Sequence, residues 1–205
     1  AYIDSLVTSQ AQVRNIRQDL LSQLSSIKDN TADSQVLAAV TLIQMKVTPV
    51  ISIHIPFGGD NHRDVGLQNE TLQTVAGVQS IAALMAQLAA VGLADQVSLM
   101  SLNVFGRTLG PANTNGRGHN ENHQVSVTIG KPFRGGVIGG VAPVAGDYGA
   151  MAISSLTGAG AASGDIAAQD TLGAYGQTML AAAGLSPTVA ASLISTGKIV
   201  GAALA

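Results

Sequence analysis

The sequence predicts an α/β chain built on a largely parallel sheet with crossover helices, and three observations carry that prediction. Residues 47–55 and 96–104 are short, apolar and rich in β-branched residues, the pattern of strands buried on both faces. Between them, residues 70–91 have the length and spacing of one long helix. Each strand candidate is followed by a polar loop containing glycine, so the order is strand, loop, helix, strand, loop.

The elements follow from local signals. Leu6, Val13, Ile16, Leu20, Leu24 and Ile27 are spaced by threes, fours and one seven, which predicts an amphipathic helix over residues 4–28. Asp29-Asn-Thr-Ala-Asp-Ser34 is a turn ending in a helix cap, and a buried helix is expected from about Ser34 to Lys46. Pro56, Gly58 and Gly59 break the first strand and leave Asp60 and His62 just past its end. Asn69 is placed to cap the long helix, which stops at Gly92. After the second strand, a loop runs over residues 105–122, and residues 124–129 read as a third strand. From Lys131 onward the chain is rich in Gly and Ala; Arg134-Gly-Gly-Val-Ile-Gly-Gly140 and Gly158-Ala-Gly-Ala-Ala-Ser-Gly164 are connectors or closely packed loops. Residues 170–183 and 188–195 read as two last helices, the second started by Pro187.

Composition narrows the function. Of 205 residues, 46% are hydrophobic and 11% charged, which describes an ordered core, not a disordered chain. A formal net charge of −2 without a basic run argues against nucleic acid and anionic membrane as partners. The absence of cysteine excludes disulfides, thiolate metal sites and a Cys nucleophile. No uninterrupted apolar run reaches the length of a membrane span, so none is expected. The chain begins on Ala-Tyr-Ile-Asp-Ser and reads as a piece of something longer, with any targeting signal upstream. Its low-charge, Ala/Gly-rich surface is suited to self-assembly, which predicts a homo-oligomer on a sizing column.

The chemistry gathers in one window. His54, His62, His119 and His123 are all the histidines of the chain, and all lie between residues 51 and 123. Asp60 and His62 are two apart, and His119 and His123 four apart, so each pair can close on one ion. One carboxylate and three imidazoles suffice for a first-row metal; the competing reading is polar loop residues bonded locally. His54, inside a predicted buried strand, reads as a core or supporting histidine. Arg107 follows Phe-Gly at a strand end, where it either clamps a phosphate or sulfate oxygen or pairs with a carboxylate such as Asp64 or Glu121. Arg117 has the same two readings. The Gly135–Gly140 stretch lacks the Lys-Ser/Thr of a phosphate loop, and no Gly-x-Ser-x-Gly elbow is present.

Taken together, these motifs resemble a family. Gly59-Asp-Asn-His62 is similar to the Gly-Trp-Asp-Thr-His element of the bacterial family known as domain of unknown function 1501. Phe105-Gly-Arg-Thr108 and Asn115-Gly-Arg-Gly-His119 resemble its Glu-Phe-Gly-Arg-Thr and Gly-Arg/Thr-Asp-His elements. Val127-Thr-Ile-Gly130, Arg134-Gly-Gly-Val-Ile-Gly139 and Asp170-Thr-Leu-Gly-Ala-Tyr-Gly-Gln-Thr178 follow in the family's order, so the likeness spans roughly residues 35–203. The family in turn resembles the alkaline phosphatase and sulfatase superfamily, an α/β sandwich with a two-metal site beyond its strand ends. The resemblance implies that residues 1–205 are the C-terminal part of one such domain, with residues 1–32 a helix and connector and 33–205 the family-like core.

By that resemblance Asp60 and His62 bind one metal, with His123 as a third ligand, and His119 belongs to the second. Gly118 stands where the family has Asp, Val104 stands where it has Glu, and the half that bears the superfamily's nucleophile is absent. The implied protein is therefore periplasmic or secreted and has a degenerate site. It would hold one divalent metal (Zn, Mn or Ca) rather than two, no catalytic residue of its own, and a binding or structural role. The alternative is a metal-dependent phosphoester or sulfate-ester hydrolase whose nucleophile lies on an upstream segment of the same protein, its natural partner.

Overall fold

The structure, a computed structural model, describes residues 2–14, 18–57, 59–103, 105–109 and 115–205. They form two compact units, one of Ala1–Asn61 with Leu67–Leu93 and one of His62–Gly66 with Ala94–Ala205.

The first unit is helical. Helices α1 (Tyr2–Arg14) and α2 (Gln18–Ser26) occupy the segment expected as one helix; its residues 15–17 lie outside the described residues. Helix α3 (Ala32–Gln44) begins two residues earlier than expected, because Thr31 is the cap and its hydroxyl accepts from the Ser34 N–H. Asp29 accepts from the Ser34 and Thr31 hydroxyls and the Thr31 N–H, and these bonds hold its carboxyl below the usual range. The buried α3 positions Val36, Ala39 and Val40 repeat at helical spacing, and α3 packs against α4 (Gln68–Ala90). On α4 the buried positions are Gly77, Ser80, Leu84 and Leu88, small at one end and large at the other. A Cβ on Gly77 would lie 2.7 Å from the Phe57 ring, so this glycine gives the ring its seat. The helix starts after Leu67, held in the left-handed region at φ 56°, and Asn69 lies within its first turn rather than at its cap.

Residues 47–55 form no strand, in contrast to the expectation. Pro49 removes an N–H donor from the run, Pro56 removes another just past its end, and the His54 N–H is taken by the Gln35 side chain at 2.6 Å. His54 is consequently exposed. Val65–Ala90 is long and apolar enough to cross a membrane by length and mean hydropathy (1.3), although polar residues interrupt its apolar run. Packing against α3 is also the behaviour of a core helix, and a core helix meets the same criterion.

The second unit holds the strands. Strand β1 (Leu99–Met100) pairs with β4 (Thr128–Ile129), β2 (Gly106–Arg107) with β3 (His119–Asn120), and β5 (Val141–Val144) with β6 (Asp147–Ala150), each pair antiparallel. The β5–β6 hairpin falls between the two glycine-rich stretches, where the sequence predicts no element; its turn is made by Ala145 and Gly146, both at positive φ. Helices α5 (Thr171–Ala182) and α6 (Pro187–Leu193) match the sequence closely, with Ser186 capping α6 and Pro187 at its first position. Ile166, Ala174 and Val200 form a core packed by Ile153, Ala202 and Ala203. The glycine stretches here include tight backbone approaches: a Cβ on Gly160 would lie 2.7 Å from Gly140 N, and one on Gly164 2.5 Å from Ile153 N.

Candidate metal and oxyanion site

The site is built on the β2–β3 ladder. Its register sets Arg107 opposite His119 and Gly106 opposite Asn120. Thr108 extends the ladder: its N–H donates to the Gly118 carbonyl at 3.0 Å, and its hydroxyl accepts the Gly118 N–H. Opposed residues of an antiparallel pair share a face, and residues two apart on a strand share it too. Arg107 and His119 are therefore on one side, with Phe105 beside them. The Phe105 ring stacks obliquely on His119, centroids 4.0 Å apart, and the Arg107 guanidinium carbon lies 5.3 Å from the Phe105 ring centre.

His62, on a turn in the same unit, meets this face. Its Nε2 lies 3.0 Å from Nε2 of His119, although 57 residues separate the two in the chain. Both side chains are exposed. Metal-free, such a pair holds one proton between two nitrogens, one donating and the other accepting. Two nitrogens bound to one zinc at about 2.0–2.1 Å stand about 3.3 Å apart at a tetrahedral angle. The observed spacing is within a small ring movement of that, so the donors fit a shared ion as a two-histidine half-site.

The other expected ligands lie differently. His123 is buried, and its Nδ1 is 3.2 Å from the Tyr148 carbonyl. A carbonyl only accepts, so Nδ1 is the nitrogen that carries a proton in this bond. Asp60 belongs to the first unit, exposed and two residues before His62 in the chain. Among the described residues of the second unit, no three His, Asp or Glu side chains converge on a point. Val104 lies outside the described residues, as does the 110–114 part of the loop. A Cβ on Gly118 would meet the Thr108 methyl at 3.4 Å, an ordinary contact, so no steric demand explains the lost carboxylate there.

The arginines are tied locally. Arg107 Nη1 reaches the Arg117 carbonyl at 3.4 Å, and Arg117 Nη1 donates to the Thr108 carbonyl at 2.9 Å. Arg117 thereby acts as a brace across the hairpin. The family model described as Protein of unknown function (DUF1501) matches residues 6–173. The chain belongs to this family. The DUF1501 match takes in α1 and α2, which the motif likeness left out, and ends inside α5. No curated protein and no solved structure matches the chain.

Two residues central to the site escaped the sequence reading. Asn120 and Asp147 are bonded to each other beneath the ladder, and neither stands in a recognisable motif. Asn120 sits between His119 and His123, and an alternating strand would put it on the face opposite His119; that periodicity was the available signal.

Proposed function

We propose that this DUF1501 chain carries a divalent-metal site centred on His62 and His119, in an exported protein of alkaline-phosphatase-like architecture. Its role is binding rather than turnover by itself. The observation that carries this reading is the 3.0 Å approach of the two Nε2 atoms from distant parts of the sequence. Imidazole donors favour Zn over the oxygen-seeking Mn and Ca. Asp60 and His123 are the additions that the sequence motifs lead one to expect, and the remaining ligands are those that the superfamily resemblance puts on its N-terminal half. A larger sheet is supported by the β1–β4 ladder and the chain beside it, where Met100 of β1 and the flanking Leu102, Val125 and Val127 are apolar yet exposed, as in strands made to be covered on both faces. Export rests on the family resemblance alone.

The test is calorimetric titration of the chelator-stripped chain with zinc. One zinc per chain is expected, with binding lost in His62→Ala and His119→Ala and kept in His54→Ala. A wild-type chain that takes up no zinc would sink the reading.

One observation favours hydrolysis as the second reading: Arg107 faces the same side of the ladder as His119. A bound divalent ion would supply Lewis-acid charge there for a phosphate or sulfate oxygen. Arg107 would hold a second oxygen of the same group by charge-assisted hydrogen bonds. Turnover of an aryl phosphate or aryl sulfate by the zinc-loaded chain, abolished in Arg107→Ala, would establish this reading over the first.

A further inference from the structure

We infer that Asn120, working with Asp147, is the positioning residue of the histidine site. His119 and Asn120 are neighbours on β3 and face opposite ways, so whatever fixes one fixes the other. The Asn120 side chain is buried, 5% exposed, and every polar bond it can readily make is made. Its Nδ2 donates to Asp147 Oδ2 at 3.0 Å and to the Tyr148 carbonyl at 2.9 Å, while its Oδ1 accepts the Asn122 N–H at 2.8 Å. The other oxygen of Asp147 accepts the Leu109 N–H at 2.8 Å. One amide and one carboxylate thus clamp the end of β2, the length of β3 and the start of β6 together.

The clamp reaches two histidines by different routes. It sets the position of β3, and with it the alignment of His119 Nε2 on His62. It also shares the Tyr148 carbonyl with His123, whose Nδ1 proton goes to the same oxygen. Removing the amide leaves Asp147 and that carbonyl each short of a buried donor, and the strand relaxes to find others. An aspartate at this position would confront Asp147 with a second carboxylate and no proton between them. The role is positional, since Asn120 itself bonds to neither imidazole.

This inference rests on the metal reading only for its zinc arm, and its first arm is metal-free. In the ¹⁵N-labelled chain without metal, long-range ¹H–¹⁵N correlation should find His123 protonated at Nδ1 alone. Asn120→Ala should mix the His123 tautomers and lower zinc affinity about 10–100-fold, the usual cost of removing such a support. Gln177→Ala is the control: its amide is buried on α5, donates to the Ile194, Thr196 and Gly197 carbonyls, and shares no partner with Asn120. It should lower the melting temperature while leaving the tautomer and zinc affinity alone. Should Asn120→Ala fail to fold, Asp147→Asn, which keeps an acceptor for Leu109, should move both readouts in the same direction. An undisturbed His123 tautomer in the variants, or an equal change in Gln177→Ala, overturns the inference. If the wild type binds no zinc yet the tautomer is fixed and then lost as described, the metal reading falls and the positioning role stands.

Discussion

Gly106→Ala tests the geometry of the site through a single methyl group. Gly106 is buried on β2, and a Cβ there would lie 2.1 Å from the His123 carbonyl oxygen, 2.9 Å from its carbon and 3.0 Å from the ring Cδ2. Ordinary contact begins near 3.4 Å, so the two backbones must part by more than 1 Å. Neither is free to do so cheaply: β2 is laddered to β3, and β3 is held by Asn120. Overpacking of this kind typically costs about 1–3 kcal/mol, and the upper end applies where both obstacles are main chain. At roughly 2–4 °C per kcal/mol for a chain of this size, the melting temperature should fall by ~6–12 °C. The same displacement carries Phe105 and Arg107 away from His119, so zinc affinity should drop at least tenfold in chain that remains folded. Thermal melting by circular dichroism and zinc titration read the two effects. Gly135→Ala, where a Cβ meets nothing within 4 Å, is the control and should be neutral or slightly stabilising. A Gly106→Ala melting point within about 2 °C of wild type, no more than about 1 kcal/mol on the same scale, would refute the close approach and the placement of His123 with it.

Gly118→Asp should fold normally, since its Cβ has room, and should tighten zinc binding. A carboxylate about 6 Å from a divalent ion in water contributes ~1.4 kcal/mol, about tenfold in the dissociation constant measured by calorimetry. Asp165 accepts hydrogen bonds from the Lys198 ammonium and from the Ser155 N–H and hydroxyl, which hold its carboxyl far below the ordinary value of 3.8. A depressed carboxyl stabilises the fold above its unfolded value and loses that contribution as pH falls through the folded one. Asp165→Asn should therefore melt lower than wild type at pH 7, with the gap closing as pH drops below about 4. A gap of constant size across that range would contradict the assignment.

Helices were readable from sequence where their signals are local. The α6 start at Ser186-Pro187 and the α5 span need only neighbouring residues to specify them, and both match within two residues. The start of α3 moved because Thr31 and Ser34 are both good caps, and the choice between them was made by Asp29, which binds both hydroxyls. Residues 47–55 were misread for the opposite reason: β-branched composition reports suitability for a sheet, and pairing depends on a neighbour that no local pattern encodes. The histidine window was visible as a cluster in sequence, but its pairing was not. Spacing linked His119 with His123; the approach of His119 to His62, set by the β2–β3 register and the His62 turn, had no such local signal. Asn120 was invisible because its importance comes from three bonds to residues up to 28 positions away.

The glycines of the C-terminal unit bear on how variation among relatives is to be interpreted. Gly160, Gly164, Gly173 and Gly197 each abut main chain at a distance where even a methyl group would collide. Invariance at such positions would reflect crowding between backbones, with no ligand involved. A saturation screen scored for folding should find those four as intolerant as any metal-binding histidine scored for zinc, and only the choice of selection would tell the two classes apart.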